Sequence, residues 1–153
     1  MNNTQNNNDR FPWDVYNEET KDVNKHPKEF KDAVWHLNDK PIKDDSCMAV
    51  FKDKYPCKEG HLLYVPKTKD APGMVGLCFQ EAYRDGMEMI KEGKIEGFNL
   101  GMNQGECAGQ SIFWPHIHFI PRTKGDQKGR ARGMRLTYPP DKYDPSNLGK
   151  EKK

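Results

Sequence analysis

The chain has 153 residues, a length that suits one domain with a modest core. It carries 25 Lys and Arg against 23 Asp and Glu, and the formal net charge of +2 argues against a general nucleic-acid-binding protein. No apolar stretch approaches the roughly 20 residues that span a bilayer, and the polar start does not have the pattern of a signal peptide. We therefore expect no membrane partner.

The four cysteines include no Cys-x-x-Cys pair. This spacing excludes a zinc-finger arrangement. Cys47 and Cys78 lie in apolar runs that are typical of buried thiols. Thiols of this kind favour a reducing compartment, and we expect a cytoplasmic protein.

The first part of the chain differs in composition from the rest. Residues 1–10 are rich in asparagine and predict a disordered tail. Residues 11–46 are interpreted as an N-terminal extension with one helix, Pro27 to Leu37. Proline suits the first turn of a helix, and the apolar positions follow an i, i+3, i+4, i+7 stripe that comprises Phe30, Ala33, Val34 and Leu37. Trp35 lies beside this stripe.

Hydrophobic periodicity predicts the remaining elements. The predicted strands are Cys47–Phe51, His61–Val65, Phe98–Asn103, Ile112–Ile120 and Met134–Tyr138, and one amphipathic helix is predicted over Val75–Glu92. Gly93 fits the end of this helix, whereas Gly86 inside it costs about 1 kcal/mol relative to alanine. Residues 141–153 predict an exposed tail. Antiparallel strands combined with helices indicate the α+β class.

Two histidines stand two residues apart in the fourth predicted strand. Alternation along a strand would place Trp114, His116 and His118 on one face, with the two imidazoles roughly 6–7 Å apart and able to touch one phosphate group from both sides. Residues 103–111 precede them with small residues, amides and a hydroxyl, a composition that suits an anion-binding loop. Two alternatives remain open at this point: histidines on a polar strand face, or a metal site at His116 and His118.

A cluster of basic residues follows the histidines. It comprises Arg122, Lys124, Lys128, Arg130, Arg132 and Arg135, with Asp126 as the only acid among them. A solvated basic loop and a patch that steers a polyphosphate toward the histidines both fit this pattern.

The segment Trp114-Pro115-His116-Ile117-His118-Phe119-Ile120, preceded by Gly109-Gln110-Ser111, resembles the signature of the histidine triad (HIT) family of nucleotide hydrolases and transferases. The second and third histidines match, and Trp114 replaces the first. Segments 51–56, 60–67 and 97–103 also resemble HIT motifs. The resemblance covers about Cys47 to Pro140, and residues 47–140 are therefore interpreted as a HIT-like catalytic domain.

This resemblance implies a five-stranded antiparallel sheet with packed helices, and a homodimer whose sheet continues across the interface. It also implies a hydrolase that cleaves nucleoside phosphoanhydrides or phosphoramidates, such as diadenosine polyphosphates, through a nucleotidyl-histidine intermediate. The resemblance implies no required cofactor, and a divalent cation bound with a polyphosphate substrate is compatible with it.

The resemblance also assigns roles to individual residues. His116 matches the nucleophile, His118 a phosphate-binding imidazole, and Ser111 a phosphate contact that helps to protonate the leaving group. Asp53 matches the ribose-binding position, although a turn-stabilising aspartate would be equally ordinary there. The other expected substrate-binding residues are Phe51, facing the base, together with His61, Asn103, Gly109, Gln110 and Trp114.

The loss of the first histidine keeps other functions open. Pro115 lies where galactose-phosphate uridylyltransferase relatives have a proline, which favours a nucleotidyltransferase as one alternative. A nucleotide-binding protein that lacks turnover because of Trp114 is the other. Indole offers a donor but no acceptor, yet a backbone carbonyl at this position could still hold the His116 tautomer. A functional test must therefore separate hydrolysis, transfer and binding.

Overall fold

The computed structural model describes residues 18–35, 40–126 and 134. These residues form one five-stranded antiparallel sheet in the order β1-β2-β3-β5-β4, which confirms the α+β class and the strand number. The strands are β1 (Lys43–Asp44), β2 (Met48–Lys52), β3 (Leu62–Pro66), β4 (Gly97–Gly101) and β5 (Ile117–Arg122), and the long helix is α1 (Pro72–Lys91). Single turns of 3-10 helix lie at Phe30–Asp32 and Glu106–Ala108.

Several predictions lie outside the described residues. They concern the tails 1–10 and 141–153, the basic residues after position 126, and the strand Met134–Tyr138 apart from Met134 itself. The fifth strand of the described sheet is instead β1, whose two exposed residues form too short a run for periodicity to register. In the part of the chain that the structure covers, no helix combines the length and the apolar character that crossing a membrane would require.

The pairing of the strands places His118 at the middle of the sheet. β5 lies between β3 and β4, and His118 is opposite Leu63 on one side and Gly101 on the other. Alternate side chains of a strand point to opposite faces. Ile117 and Phe119 therefore lie on one face and His118 on the other.

Both faces of the sheet are covered, but by different parts of the chain. On one face, Cys78 and Ala82 of α1 pack against a cluster that includes Val50, Tyr64 and Phe119. On the other face, the covering residues come from the N-terminal extension and from the segment before β5: Ala33, Trp35, Ile112 and Trp114. Because His118 points to this second face, the extension lies on the same side of the sheet as the histidines.

The predicted helix Pro27 to Leu37 is wrong from Pro27 to Ala33, whereas Val34 and Trp35 are helical. Phe30–Asp32 form a 3-10 turn, and Ala33 is extended with φ −71° and ψ 139°. Ala33 and Trp35 are both buried, and Phe30 and Val34 of the expected stripe pack against the same cluster. The reason for the interrupted helix is tertiary: the segment gains more by burying these side chains against the sheet than by completing one continuous short helix.

The predicted histidine strand is also too long. β5 begins at Ile117, so Trp114 and His116 precede it. Pro115 has no N–H to give to a sheet ladder, and regular pairing starts only after it. Trp114 lies in the cluster on the histidine face, as expected, but it precedes β5, so strand alternation does not place it there.

Helix α1 agrees closely with its prediction. It begins at Pro72, in a position that tolerates the missing N–H. Gly93 follows its end with φ 72°, and its N–H bonds to the carbonyl of Ile90. Gly86 allows a close approach to the sheet, because a Cβ there would lie 2.5–2.8 Å from ring carbons of Phe98.

Candidate active site

A cavity of about 340 Å³ opens on the sheet face that carries the histidines. Its floor includes Leu63 of β3 and His118 of β5. The loop after β2 contributes Asp53 and Tyr55 to its wall. A volume of this size suits a small-molecule ligand.

The main chain fixes the protonation pattern of His116. Its Nδ1 lies 2.7 Å from the carbonyl oxygen of Trp114. Since a carbonyl can only accept, Nδ1 carries the proton and Nε2 keeps its lone pair in the neutral ring. This geometry agrees with the hypothesis that a backbone carbonyl at position 114 holds the His116 tautomer. His116 thus offers a free nitrogen for nucleophilic attack.

A second chain of hydrogen bonds fixes His118. The N–H of Cys57 donates to Nδ1 of His61 at 3.2 Å, so neutral His61 carries its proton on Nε2. That Nε2 lies 2.9 Å from Nδ1 of His118 and donates to it. His118 in turn must carry its own proton on Nε2. The cavity is therefore lined by one imidazole with a lone pair and one with an N–H donor.

The two cavity histidines lie close together and are neutral at neutral pH. Their ring centroids are 5.1 Å apart, nearer than the predicted 6–7 Å. Burial lowers the pKa of His116, although the Trp114 carbonyl and the charge of Asp53 act in the opposite direction. Burial, with the neighbouring His116 and His61, lowers the pKa of His118 to about 3.

Asp53 combines a turn role with a place in the site. Its Oδ1 accepts the N–H of Tyr55 at 2.8 Å, which stabilises the turn after β2. Its Oδ2 lies 3.3 Å from Nε2 of His61 and 3.8 Å from Nδ1 of His118. The turn-stabilising role of Asp53 thus has a counterpart in the geometry, and its side chain also lines the cavity. The ribose-binding role remains a prediction.

Asp53, His61 and His118 also form the group whose ligand atoms could surround a metal ion, all lying within 4.8 Å of one another. A metal bound at Nε2 of His61 would need a lone pair there and a proton on Nδ1. The Cys57 N–H points at that same Nδ1. Metal binding would therefore cost this hydrogen bond.

The loop before β5 brings its polar groups to the cavity. Asn103, Gly109 and Ser111 all line it. Gly109 has φ 89°, a conformation that favours glycine. Gln110 is buried and holds the loop from behind, because its Oε1 accepts the N–H of Gly105 at 2.7 Å and its Nε2 donates to the carbonyl of Ile112 at 3.2 Å.

Three expected substrate contacts lie outside the lining of this cavity. Gln110 supports the loop as described. Phe51 is fully buried in the cluster beneath the extension. Trp114 is 2 % exposed, and its Nε1 donates to the carbonyl of Pro66 at 2.8 Å. These placements differ from the expected substrate contacts because Phe51 and Trp114 fill the core on which the site is built, whereas Gln110 is used in hydrogen bonds within the loop.

The N-terminal extension forms one wall of the cavity, and the local sequence pattern did not predict this. Five residues of the N-terminal extension line the cavity: Glu19, Thr20, Val23, Val34 and Trp35. Tyr55 donates its hydroxyl to Oε2 of Glu19 at 2.6 Å, and the N–H of Phe113 donates to the carbonyl of Lys25 at 2.7 Å. His26 also stacks on Phe113. The spacing of residues within the extension does not indicate these contacts, because they join segments that are distant in the sequence. The aromatic residue Trp35 was the one indication that the extension packs on the domain.

Comparison with known proteins agrees with this fold and site. The family model of the HIT domain matches residues 36–125, more than half of the chain. The chain therefore belongs to the HIT family. The extension residues that line the cavity all precede the matched segment.

Two curated relatives are enzymes by name. Adenylylsulfatase HINT3 of Arabidopsis thaliana is 33% identical over 102 residues, which cover 63% of this chain and 51% of that protein. The chain thus spans about half the length of this relative. Adenosine 5'-monophosphoramidase HNT1 of Saccharomyces cerevisiae is 30% identical over 102 residues, covering 65% of this chain and 61% of that protein.

A solved structure shares the fold. The crystal structure of a zinc-bound histidine triad family protein from Mycobacterium smegmatis superposes with a TM-score of 0.53 and 29% identity. The superposition covers 57% of this chain and 68% of that chain.

Proposed function

We propose that this protein is a hydrolase that releases a nucleoside monophosphate from a phosphoanhydride or a phosphoramidate. The observation that carries the proposal is the 2.7 Å contact between Nδ1 of His116 and the Trp114 carbonyl. It leaves Nε2 as an unprotonated nucleophile in the cavity. The named activities of the two curated relatives, on an adenylyl sulfate and on an adenosine phosphoramidate, support the same class of bond.

The proposed reaction has two displacements at phosphorus. Nε2 of His116 attacks the α-phosphorus, a P–N bond forms, and the bond to the leaving group breaks with its electron pair going to the leaving group. An anhydride releases an oxyanion that needs no proton, whereas an amine takes one from the Ser111 hydroxyl. Water then attacks phosphorus and the P–N electron pair returns to Nε2. The proton that the water loses restores the Ser111 hydroxyl when an amine has left, and passes to solvent when an anhydride has been cleaved. Dividing one difficult displacement into two is the benefit of a covalent intermediate.

The surrounding donors match the charge that develops during each step. Nε2–H of His118, the amide of Asn103 and the N–H of Ser111 are proposed to bind the phosphoryl oxygens. The N–H of Gly109 is not among these donors, because it bonds to the carbonyl of Glu106 at 2.9 Å. Donors that are fixed before the reaction stabilise the transition state without reorganisation. His116 and His118 have lowered pKa values, so both are neutral when substrate binds. Asp53 is proposed to accept from the ribose hydroxyls.

Two further properties belong to this proposal. We place the protein in the cytoplasm, which its free cysteines Cys47, Cys57, Cys78 and Cys107 would suit. We also propose a homodimer, since β4 lies at one end of the sheet order and helix α1 exposes Leu77, Tyr83 and Met87. No cofactor takes part in the steps above.

The decisive experiment measures AMP release. The purified protein is incubated with a diadenosine polyphosphate and, separately, with an adenosine phosphoramidate, each with and without an added nucleophilic acceptor. Release in water supports the hydrolase. Release that requires the acceptor identifies a transferase instead, and nucleotide binding without release identifies a binding protein.

His116→Ala is expected to abolish AMP release while nucleotide binding remains. The nucleophile acts on the chemical step far more than on ground-state affinity. Isothermal titration with AMP measures binding in the same preparation. A variant that keeps the wild-type kcat would remove His116 from the mechanism.

A further inference from the structure

The indole of Trp35 lies beside the proposed nucleophile. Its ring centroid is 5.0 Å from that of His116, with an angle of 47° between the planes. Trp35 is 6% exposed and lines the cavity. It belongs to the N-terminal extension, immediately before the segment that the HIT domain matches. The structure thus places the largest aromatic side chain of the cavity wall against the ring that would react.

The reaction changes the charge of that ring, and this step rests on the proposed function. Nδ1 of His116 keeps its proton on the Trp114 carbonyl. When Nε2 forms the P–N bond and the leaving group departs with its electron pair, the ring therefore becomes a positively charged imidazolium. It becomes neutral again when water attacks phosphorus and the P–N electron pair returns to Nε2. The cation thus exists only along the reaction path.

The charged groups near His116 leave this cation with little compensation. Asp53 is the anion that acts on the His116 ring. His61 and His118 are neutral rings at neutral pH, because burial lowers the pKa of each. Among the described residues, the transient positive charge therefore faces one carboxylate and two neutral rings, and an adjacent aromatic face would add to its stabilisation.

We propose that Trp35 stabilises the positively charged nucleotidyl-imidazolium of His116 through a cation–π interaction. Tryptophan is the best partner for a cation, and the 5.0 Å separation lies within the roughly 6 Å over which the interaction acts. The interaction strengthens when water is excluded. Because the neutral ring of the free enzyme gains less from it, Trp35 favours the transition state over the bound substrate.

The ring face, not the indole N–H, is the group that matters here. Among the described residues, Nε1 of Trp35 has no hydrogen-bond partner and is buried. Phenylalanine would keep an aromatic face and remove this buried donor, whereas leucine would keep apolar volume without a π system. These two substitutions separate the electrostatic role from packing.

The test compares Trp35→Phe and Trp35→Leu in steady-state and single-turnover AMP release. We expect Trp35→Leu to lower kcat by about 3- to 30-fold, the range of a cation–π interaction, and Trp35→Phe to stay within about threefold of wild type. Phe30→Leu is the matched control, since Phe30 packs near Phe51 and Trp114 but not against His116. Its kcat should remain within about twofold.

A second measurement does not depend on turnover. NMR titration of the His116 ring in the free enzyme reports how well the site tolerates an imidazolium. Trp35→Leu should lower the pKa of His116 further, and Trp35→Phe should lower it less. If neither variant changes this pKa or kcat, the proposal is overturned, and if both variants lose kcat equally, Trp35 acts through packing. Full activity of His116→Ala would instead overturn the proposed function, while the titration still tests the contact itself.

Discussion

At the scale of single residues, the side chain and the backbone carbonyl of Trp114 have different roles. The Trp114 indole fills the core, and its N–H bonds to the Pro66 carbonyl. The Trp114 carbonyl orients His116. Any residue supplies a carbonyl, so a histidine can be lost from the family signature here without losing the bond that holds the nucleophile.

Trp114→Phe tests this division. It should lower the free energy of unfolding by about 1–3 kcal/mol, because the buried Pro66 carbonyl loses its donor. It should leave kcat within about threefold, since the backbone bond to His116 remains. Denaturant unfolding and AMP release measure the two effects. A large loss of kcat in a variant of nearly normal stability would show that the indole itself takes part in the reaction.

The buried histidines also predict how stability depends on pH. The unfolded chain has histidines with a pKa near 6.5, whereas folding lowers the pKa of His118 to about 3. Below pH 6.5 the unfolded state therefore binds more protons, and stability falls as pH decreases. We expect the free energy of unfolding to decline from about pH 6.5 toward pH 4. Urea titrations at a series of pH values measure this decline. His118→Asn should flatten this decline, and an equally steep decline in that variant would contradict the assignment.

At the scale of elements, the two segments that pack on opposite faces of the sheet have different functions. Helix α1 packs on the face away from the cavity and supports the fold. The N-terminal extension packs on the histidine face and forms part of the site. Its position is held by contacts with residues far away in the sequence, among them the His26–Phe113 stack at 4.5 Å. The extension is thus a structural part of the cavity, and specificity can vary there while the histidine strand stays the same.

Two glycines of α1 provide a matched pair of substitutions. Gly86→Ala should destabilise the fold, because its Cβ would come within 2.5 Å of the Phe98 ring. Gly76→Ala in the same helix meets nothing within 4 Å and should stabilise it by up to about 1 kcal/mol. Thermal unfolding of both variants measures the difference. Equal effects would mean that Phe98 moves aside at no cost.

At the scale of the whole molecule, exposed apolar side chains concentrate on α1. Tyr83 is 57% exposed and Met87 is 45% exposed. They lie one helical turn apart on a helix that packs against β4, the strand at the end of the sheet order. A patch of this kind, next to a sheet edge, fits an interface with a second copy of the chain.

Met87→Lys should therefore shift the protein from dimer to monomer. A charge at the centre of an apolar interface is costly to desolvate. Sedimentation equilibrium of wild type and variant gives the association constants. Ile42→Lys is the control, since Ile42 is 48% exposed and lies next to β1 at the opposite end of the sheet. A monomeric wild type would contradict the proposed homodimer.

The sequence by itself determined the parts of this protein that depend on neighbouring residues. The apolar periodicity of α1 and the runs of β2 and β3 predicted these elements to within a few residues, because burial along one helix or strand leaves a local pattern. The spacing of His116 and His118, with the Gly-Gln-Ser segment before them, was enough to indicate the family, which the HIT domain match confirms.

Only the tertiary structure decided which distant residues meet. The bond between His61 and His118 joins positions 57 residues apart, and it depends on the register of β3 against β5. The place of Trp35 beside His116, and the burial of Trp114 and Phe51 beneath the site, depend on how the extension lies across the sheet. Contacts between residues that are distant in the sequence depend on how whole elements pack together. The periodicity of apolar residues along the chain does not show that packing.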